Sequence, residues 1–220
     1  MQLKILGWNI RGSSSTGWSN KRIIEKEIVD ELIAQDADIL VINEFILSTG
    51  WDYFQQEMLK KQYVWFINLL STENGLLIVV KENLLGNKKL YINQMYKEGM
   101  VFNEKNLNSD VCPNFIHVKL PELNIIGIRV RTLANYTNRK EQVLSVTNYI
   151  ESKKLKKVLF LGDFNNSTIK GDSTKCYEEV REEYHWTSKN EVSDLYDTYN
   201  YHILKELLPK DFSIYTPEGY

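Results

Sequence analysis

Short apolar runs, each ended by polar or turn-forming residues, recur along the whole chain. Three of these runs are almost continuously apolar, which predicts strands buried in the core of a sheet. They are Leu3–Ile10, Asp38–Glu44 and Lys157–Leu161. Their lengths suit strands, and none approaches the ~20 residues that a membrane-spanning helix needs.

Two further pairs of runs flank turn-rich segments and predict hairpins. The first pair is Tyr63–Leu70 with Leu76–Lys81, and the second is Phe115–Leu120 with Ile125–Arg131. Antiparallel pairing is therefore expected in the sheets as well.

Helices are predicted between the strands wherever apolar residues recur at four-residue spacing. Ile24, Ile28 and Leu32 show this spacing after Ser19 or Asn20, either of which can cap the helix. The remaining predicted elements are a helix around Trp51 to Met58, helices over Asn138–Ser152, Cys176–Tyr184 and Leu195–Leu208, and a last strand over Phe212–Thr216.

Size and composition indicate a single domain. The 220 residues are 43% apolar and 12% aromatic, enough to bury one substantial core, so we expect one domain over residues 1–220. The 27 basic residues against 29 acidic ones give a formal charge of −2. No overall positive field would attract nucleic acid, so any phosphate recognition must be local.

The N-terminus and the cysteines suggest a cytoplasmic protein. The first residues lack a basic segment followed by a long apolar one, so no signal peptide is expected. Cys112 and Cys176 fit neither a disulfide framework nor a zinc site. We expect a monomer without a membrane span.

Polar side chains end three of the predicted buried strands: Asn9, Glu44, and the pair Asp163 and Asn165. Each has an ordinary explanation, since Asn9 could close a turn, Glu44 could pair with a lysine, and Asp163 with Asn165 could form a turn or cap. Together they predict one site at the rim of a sheet. Oxygen ligands without His or Cys favour Mg²⁺ over zinc.

The order of the motifs carries more information than any one residue. A strand ending in W-N-I, then D-I-L-V-I-N-E after a helix, then V-L-F-L-G-D-F-N after another helix resembles the endonuclease/exonuclease/phosphatase family. The resemblance implies an α/β (α+β) fold, a four-layer sandwich of two mostly antiparallel sheets flanked by helices.

The resemblance also implies roles for the polar residues. Glu44 would be the principal ligand of Mg²⁺ or Mn²⁺ with Asn9 beside it, Asp163 would orient or deprotonate the attacking water, and Asn165 would hold the phosphate. Period two in the strand Ile125–Arg131 puts Arg129 and Arg131 on one face. The family sends a phosphate-contacting side chain from this strand, so either arginine is a candidate; alternatively, the pair neutralises nearby carboxylates.

One family feature does not appear in the sequence. The family ends in a strand carrying an Asp-His pair, whereas here the segment Phe212–Tyr220 resembles only the approach to it. None of His117, His185 and His202 stands in such a context. We therefore expect the C-terminal strand or strands to be missing, and a fragment of this length to be impaired in catalysis.

The leading hypothesis is a Mg²⁺-dependent phosphodiester hydrolase that acts on DNA or RNA by in-line attack of an activated water. One alternative is a phosphomonoesterase or lipid-headgroup phosphodiesterase. Another is a non-catalytic module of the same fold, favoured by the missing Asp-His segment.

Overall fold

The computed structural model describes residues 2–10, 24–45, 49–68, 75–86, 114–130, 136–165 and 207–213. The chain divides into two compact units. The first comprises Met1–Asn103, Asn114–Arg129 and Lys156–Asp163, and the second comprises Glu104–Pro113, Val130–Leu155 and Phe164–Tyr220. A single domain over residues 1–220 stays a prediction.

The first unit holds all the described strands and two helices. In chain order they are β1 (Ile5–Asn9), α1 (Lys26–Ala34), β2 (Ile39–Phe45), α2 (Trp51–Lys60), β3 (Tyr63–Asn68), β4 (Gly75–Lys81), a short 3₁₀ helix (Glu82–Leu85), β5 (Asn114–Lys119), β6 (Asn124–Arg129) and β7 (Val158–Asp163). All three strands predicted from apolar runs and both predicted hairpins are confirmed as elements. The prediction that all three strands are buried is wrong for two of them: β2 is buried, whereas β1 and β7 lie at the edges of their sheets and their residues are exposed or half-buried.

These strands form two mixed sheets. The four-stranded sheet has the order β1-β2-β4-β3, and the three-stranded sheet has the order β5-β6-β7. β1 pairs with β2 in parallel, and so does β6 with β7, whereas the other pairs are antiparallel. The predicted α+β fold built on two sheets is thus confirmed.

The two central strands of the four-stranded sheet, β2 and β4, are buried on both faces, as their continuous apolar runs predicted. Leu40 and Ile42 of β2 join the helix-side core, which also contains Val29, Leu32, Phe54, Met58, Leu77 and Val79. Ile39 and Val41 join the inter-sheet core, which also contains Ile78, Ile116, Val118 and Ile125. Full burial of each such side chain contributes about 1.5–3 kcal/mol.

The start of α1 differs from the prediction. Ile24 lies before the helix, which begins at Lys26, although its side chain is buried in the helix-side core. The Ile24 backbone N–H donates to the Thr49 carbonyl oxygen at 2.9 Å, so this residue is held by the segment before α2. The predicted caps at Ser19 and Asn20 lie outside the described residues.

The second unit contains helix α3, Tyr136–Ser152, which confirms the helix predicted over Asn138–Ser152. Its buried side chains include Val143, Val146 and Ile150. The predicted helices over 176–184 and 195–208 lie outside the described residues, except for residues 207 and 208. Of the strand predicted over 212–216, the described residues 212 and 213 are not in a strand.

Within the described ranges, no helix has both the length and the apolar character required to cross a membrane.

Candidate active site

The parallel pairs bring four strand ends of the first unit to one place. Asn9, the last residue of β1, is paired in register with Asn43 near the end of β2. Arg129, the last residue of β6, is paired with Asp163, the last residue of β7. Carboxyl ends of parallel strands are where open α/β sheets commonly bind ligands.

Strand alternation turns three of these side chains towards the layer between the sheets. Leu6 and Trp8 pack against the helix-side core, so Asn9 faces the opposite way. A Cβ on Gly127 would contact Val41 and Ile78, so Arg129, two residues later, faces the same layer. Asp163 likewise follows Leu161, which packs on the inter-sheet core.

The side-chain amide of Asn9 joins two carboxylates. Its nitrogen Nδ2 donates to Glu44 Oε1 at 3.1 Å and to Asp163 Oδ2 at 3.0 Å. Because both amide hydrogens are used, Asn9 fixes the two acids within two hydrogen-bond lengths of each other. Glu44 and Asp163 are separated by 119 residues, and the sequence prediction that they share a site with Asn9 agrees with this geometry.

A β-bulge directs the Glu44 side chain. Asn43 pairs with Leu76 and Phe45 with Gly75, so Glu44 is an extra residue in β2. Without the bulge, Glu44 would follow Leu40 and Ile42 into the helix-side core. Instead Phe45 takes that place, and Glu44 has a left-handed φ of 56°. Such strain in a residue other than glycine is often retained at functional sites.

Arg129 lies beside the acids. Its residue surface is 8% exposed, and Nη2 lies 3.8 Å from Glu44 Oε1. Arg129 is therefore placed to neutralise a nearby carboxylate, the alternative that the sequence left open, and its role as a phosphate contact stays a prediction. Arg131 lies outside the described residues.

Gly162 explains why glycine precedes the aspartate in the G-D-F-N motif. Its φ is 146°, and a Cβ there would overlap the Ile128 carbonyl oxygen of the neighbouring strand. Only glycine allows the end of β7 to approach β6 so closely. The motif therefore encodes backbone geometry as well as the Asp163 carboxylate.

Asn165 belongs to the second unit. It has a left-handed φ of 47°, and its Nδ2 donates to the Val130 carbonyl oxygen at 2.6 Å. Asparagine tolerates this conformation better than most residues do. This hydrogen bond spans 35 residues along the chain, so it is not itself the local turn or cap that the sequence left open as an alternative.

Asn43 is a polar residue that the sequence prediction missed. It is 2% exposed and follows Ile39 and Val41 on the inter-sheet face of β2. The signal was present, because an amide in phase with two buried residues must find buried partners.

The donor set suits a hard divalent cation. Within the described part of the chain, no group of three or more His, Cys, Asp and Glu side chains could hold a metal ion. Mg²⁺ does not require such a group, because it takes one or two carboxylates and completes its shell with water and substrate oxygens. Glu44, whose side chain is 24% exposed, and Asn9 fit that requirement.

Two of the solved structures that resemble this chain match it over most of its length. An AP endonuclease from Archaeoglobus fulgidus is 14% identical with a TM-score of 0.55, and the match covers 94% of this chain and 71% of that protein. A 3′ phosphatase from Neisseria, bound to a product DNA hairpin, is 16% identical with a TM-score of 0.53 and the same coverage of each chain. No protein-family model and no curated protein sequence matches the chain.

These two structures have the endonuclease/exonuclease/phosphatase fold, and this chain has it too. The resemblance inferred from the three sequence motifs is therefore confirmed as a likeness of fold.

Proposed function

We propose that this chain, with its endonuclease/exonuclease/phosphatase fold, is a metal-dependent phosphoester hydrolase that acts on nucleic acid. One observation carries the proposal: the Asn9 amide joins the Glu44 and Asp163 carboxylates at converging strand ends. A hydrolase of this kind needs a cation site and a proton acceptor side by side, and two adjacent acids can divide those tasks.

Asp163 is the proposed proton acceptor for the attacking water. Its Oδ2 accepts from Asn9 at 3.0 Å, which restricts the rotation of the carboxylate and sets the direction of its remaining lone pairs. A carboxylate held in this way can orient a water and take its proton during in-line attack on phosphorus.

Glu44 and the amide oxygen of Asn9 are the proposed ligands of Mg²⁺ or Mn²⁺. When bound, such a cation supplies positive charge to the non-bridging phosphate oxygens. The bulge at Glu44 turns this carboxylate away from the helix-side core and towards Asn9, where a substrate-bound cation could be reached.

Arg129 is the proposed phosphate contact of the first unit. Its guanidinium is held near Glu44 and is delocalised, so it can bind a phosphate oxygen with directed hydrogen bonds. Asn165 and Arg131, which the resemblance also implies as phosphate contacts, are kept as proposals of the same kind.

Nucleic acid is the proposed substrate because the two structures compared above are nucleic-acid enzymes: one is an AP endonuclease, and the other is a 3′ phosphatase bound to a product DNA hairpin. The second also supports phosphomonoester hydrolysis as an alternative activity. A lipid-headgroup substrate has no comparable support. A cytoplasmic location and a monomeric state stay predictions.

The test is a panel of substrates assayed with and without Mg²⁺ or Mn²⁺, using the full-length protein. The panel contains a duplex with an abasic site, a DNA hairpin with a 3′ phosphate, single-stranded DNA and RNA, and a bis-aryl phosphodiester. Glu44→Gln should lower the metal-dependent rate and the affinity for Mg²⁺ in isothermal titration. Glu57→Gln is the matched control, since Glu57 lies on α2 and pairs with Lys60.

Metal-dependent cleavage of a nucleic-acid substrate that Glu44→Gln impairs and Glu57→Gln leaves intact would support the proposal. Hydrolysis of only the 3′ phosphate would favour the phosphomonoesterase alternative. A full-length protein that hydrolyses nothing in the panel would refute the proposal and favour the non-catalytic module.

A further inference from the structure

We propose that Asn43 is a positioning residue whose buried amide holds the end of β7, and with it the Asp163 carboxylate, in place beside Glu44 and Asn9. The effect on catalysis rests on the proposed function, whereas the effect on the geometry of Asp163 does not. Asn43 has no expected contact with substrate, so it acts through another residue.

The orientation of the Asn43 amide follows from its two neighbours. The Ile128 carbonyl can only accept a hydrogen bond and the Asp163 backbone N–H can only donate one. The amide nitrogen therefore donates to the Ile128 oxygen at 3.1 Å, and the amide oxygen accepts from the Asp163 nitrogen at 3.2 Å. One side chain of the four-stranded sheet thus binds backbone groups of both β6 and β7.

The main chain of Asn43 adds a connection to β1. Its carbonyl oxygen accepts from the Ile10 backbone N–H at 3.1 Å, and the residue is paired in register with Asn9. Because Glu44 follows directly in the chain, Asn43 links the backbones that carry Asn9, Glu44 and Asp163.

Loss of the amide would leave two backbone groups without their partner. Asn43 is 2% exposed, so water can replace it only if the sheets move apart. The Asp163 backbone would then shift, and the carboxylate would change its distance from Glu44 and Asn9. Misplacement of a catalytic group by about 1 Å can lower a rate by about 10²-fold.

The test compares Asn43→Leu with Asn124→Leu in the full-length protein. Asn124 is a matched control at the other end of β6, where Nδ2 donates to the Lys156 carbonyl oxygen at 2.7 Å and Oδ1 pairs with His117 Nε2 at 3.0 Å. Asn43→Leu should lower kcat by about 10–100-fold with little change in KM. Asn124→Leu should leave both unchanged, although it too removes two side-chain hydrogen bonds.

A double-mutant cycle separates positioning from a general loss of structure. If Asn43 acts through Asp163, Asn43→Leu should have little further effect on the residual rate of Asp163→Asn. Equal effects of Asn43→Leu in both backgrounds would overturn the proposal. If Asn43→Leu does not fold, Asn43→Ser, which leaves more room for a bridging water, should show a smaller loss in kcat with the same dependence on Asp163.

NMR distinguishes a failure of this inference from a failure of the proposed function. In Asn43→Leu, the backbone amide resonance of Asp163 and the carboxyl resonances of Asp163 and Glu44 should shift, and in Asn124→Leu they should not. Such shifts in a protein that hydrolyses no phosphoester would uphold the positioning role and refute the proposed function. Unchanged resonances in Asn43→Leu would overturn the positioning role at any level of activity.

Discussion

Gly162→Ala should destabilise the protein more than Gly127→Ala, the same change in the neighbouring strand. The new Cβ would overlap the carbonyl oxygen, and approach the nitrogen and carbon, of Ile128. These obstacles are backbone atoms of β6, so they can move only if the paired strands separate. The φ of 146° adds strain for a residue with a side chain.

The magnitude follows from these two contributions. A backbone conformation reserved for glycine costs about 1–3 kcal/mol, and overpacking against a rigid neighbour adds about 1–3 kcal/mol. We therefore expect Gly162→Ala to lower the free energy of unfolding by about 2–6 kcal/mol, a large part of the ~5–15 kcal/mol of a typical domain.

Gly127→Ala is the control in the neighbouring strand. Its Cβ would meet Ile78 Cδ1 at 3.0 Å and Val41 Cγ1 at 3.2 Å, and these are ends of side chains that can shift slightly. We expect a loss of about 1 kcal/mol. Urea unfolding followed by circular dichroism measures both variants. Equal midpoints for the two alanine variants would refute the claim that the Ile128 backbone requires glycine at position 162.

Three further predictions concern stability. The Lys4 backbone N–H donates to the Asp38 carboxylate and, with help from Lys81 and against some burial, holds the pKa of Asp38 below its usual 3.8. Asp38→Asn should therefore lower the free energy of unfolding by about 1 kcal/mol at neutral pH. The difference from the parent in urea unfolding should disappear as the pH falls through the lowered pKa of Asp38; a difference that grows in acid would contradict this. Arg129→Met should destabilise the parent more than it destabilises the Glu44→Gln variant, because that variant already lacks the carboxylate beside Arg129. Equal losses of unfolding free energy in the two proteins would show that the two side chains are not coupled. Phe54→Ala removes a fully buried ring and should cost about 3–5 kcal/mol in thermal unfolding, so a loss below about 1 kcal/mol would contradict the packing around it.

The sequence was sufficient to predict the strands and the proximity of three candidate site residues. Continuous apolar runs predicted the strands, although only β2 of the three is buried, and the polar residues that end these runs mark the rim of a sheet. Asn9, Glu44 and Asp163 were predicted on that basis, and the hydrogen bonds of Asn9 now join the two acids. Periodicity also placed Arg129 on the face it shares with Gly127.

Periodicity could not predict how Glu44 reaches the site. Alternation alone puts this side chain with Leu40 and Ile42 on the helix-side face, and only the bulge and the left-handed φ redirect it. These features depend on the pairing of β2 with β4, which a pattern of single residues does not contain. The partners of Asn43 were hidden for the same reason, because they are backbone groups of distant strands.

The start of α1 shows the opposite limitation. Ile24 fits the helical spacing of Ile28 and Leu32, yet its N–H is taken by the Thr49 carbonyl. A buried residue just before a helix can fit the apolar spacing of that helix although its own backbone is not helical. Spacing therefore identified the buried face correctly and the helix boundary incorrectly.

The most direct measurement of the central claim is the metal-dependent rate of phosphoester hydrolysis by full-length Asp163→Asn. Asp38→Asn is the control, since it makes the same chemical change just before the start of β2, at the end opposite to Glu44. We predict that Asp163→Asn loses about 10²–10⁴-fold in kcat while the control retains the parent rate. If Asp163→Asn hydrolyses the substrate as fast as the parent does, Asp163 is not the proton acceptor and the proposed site is wrong.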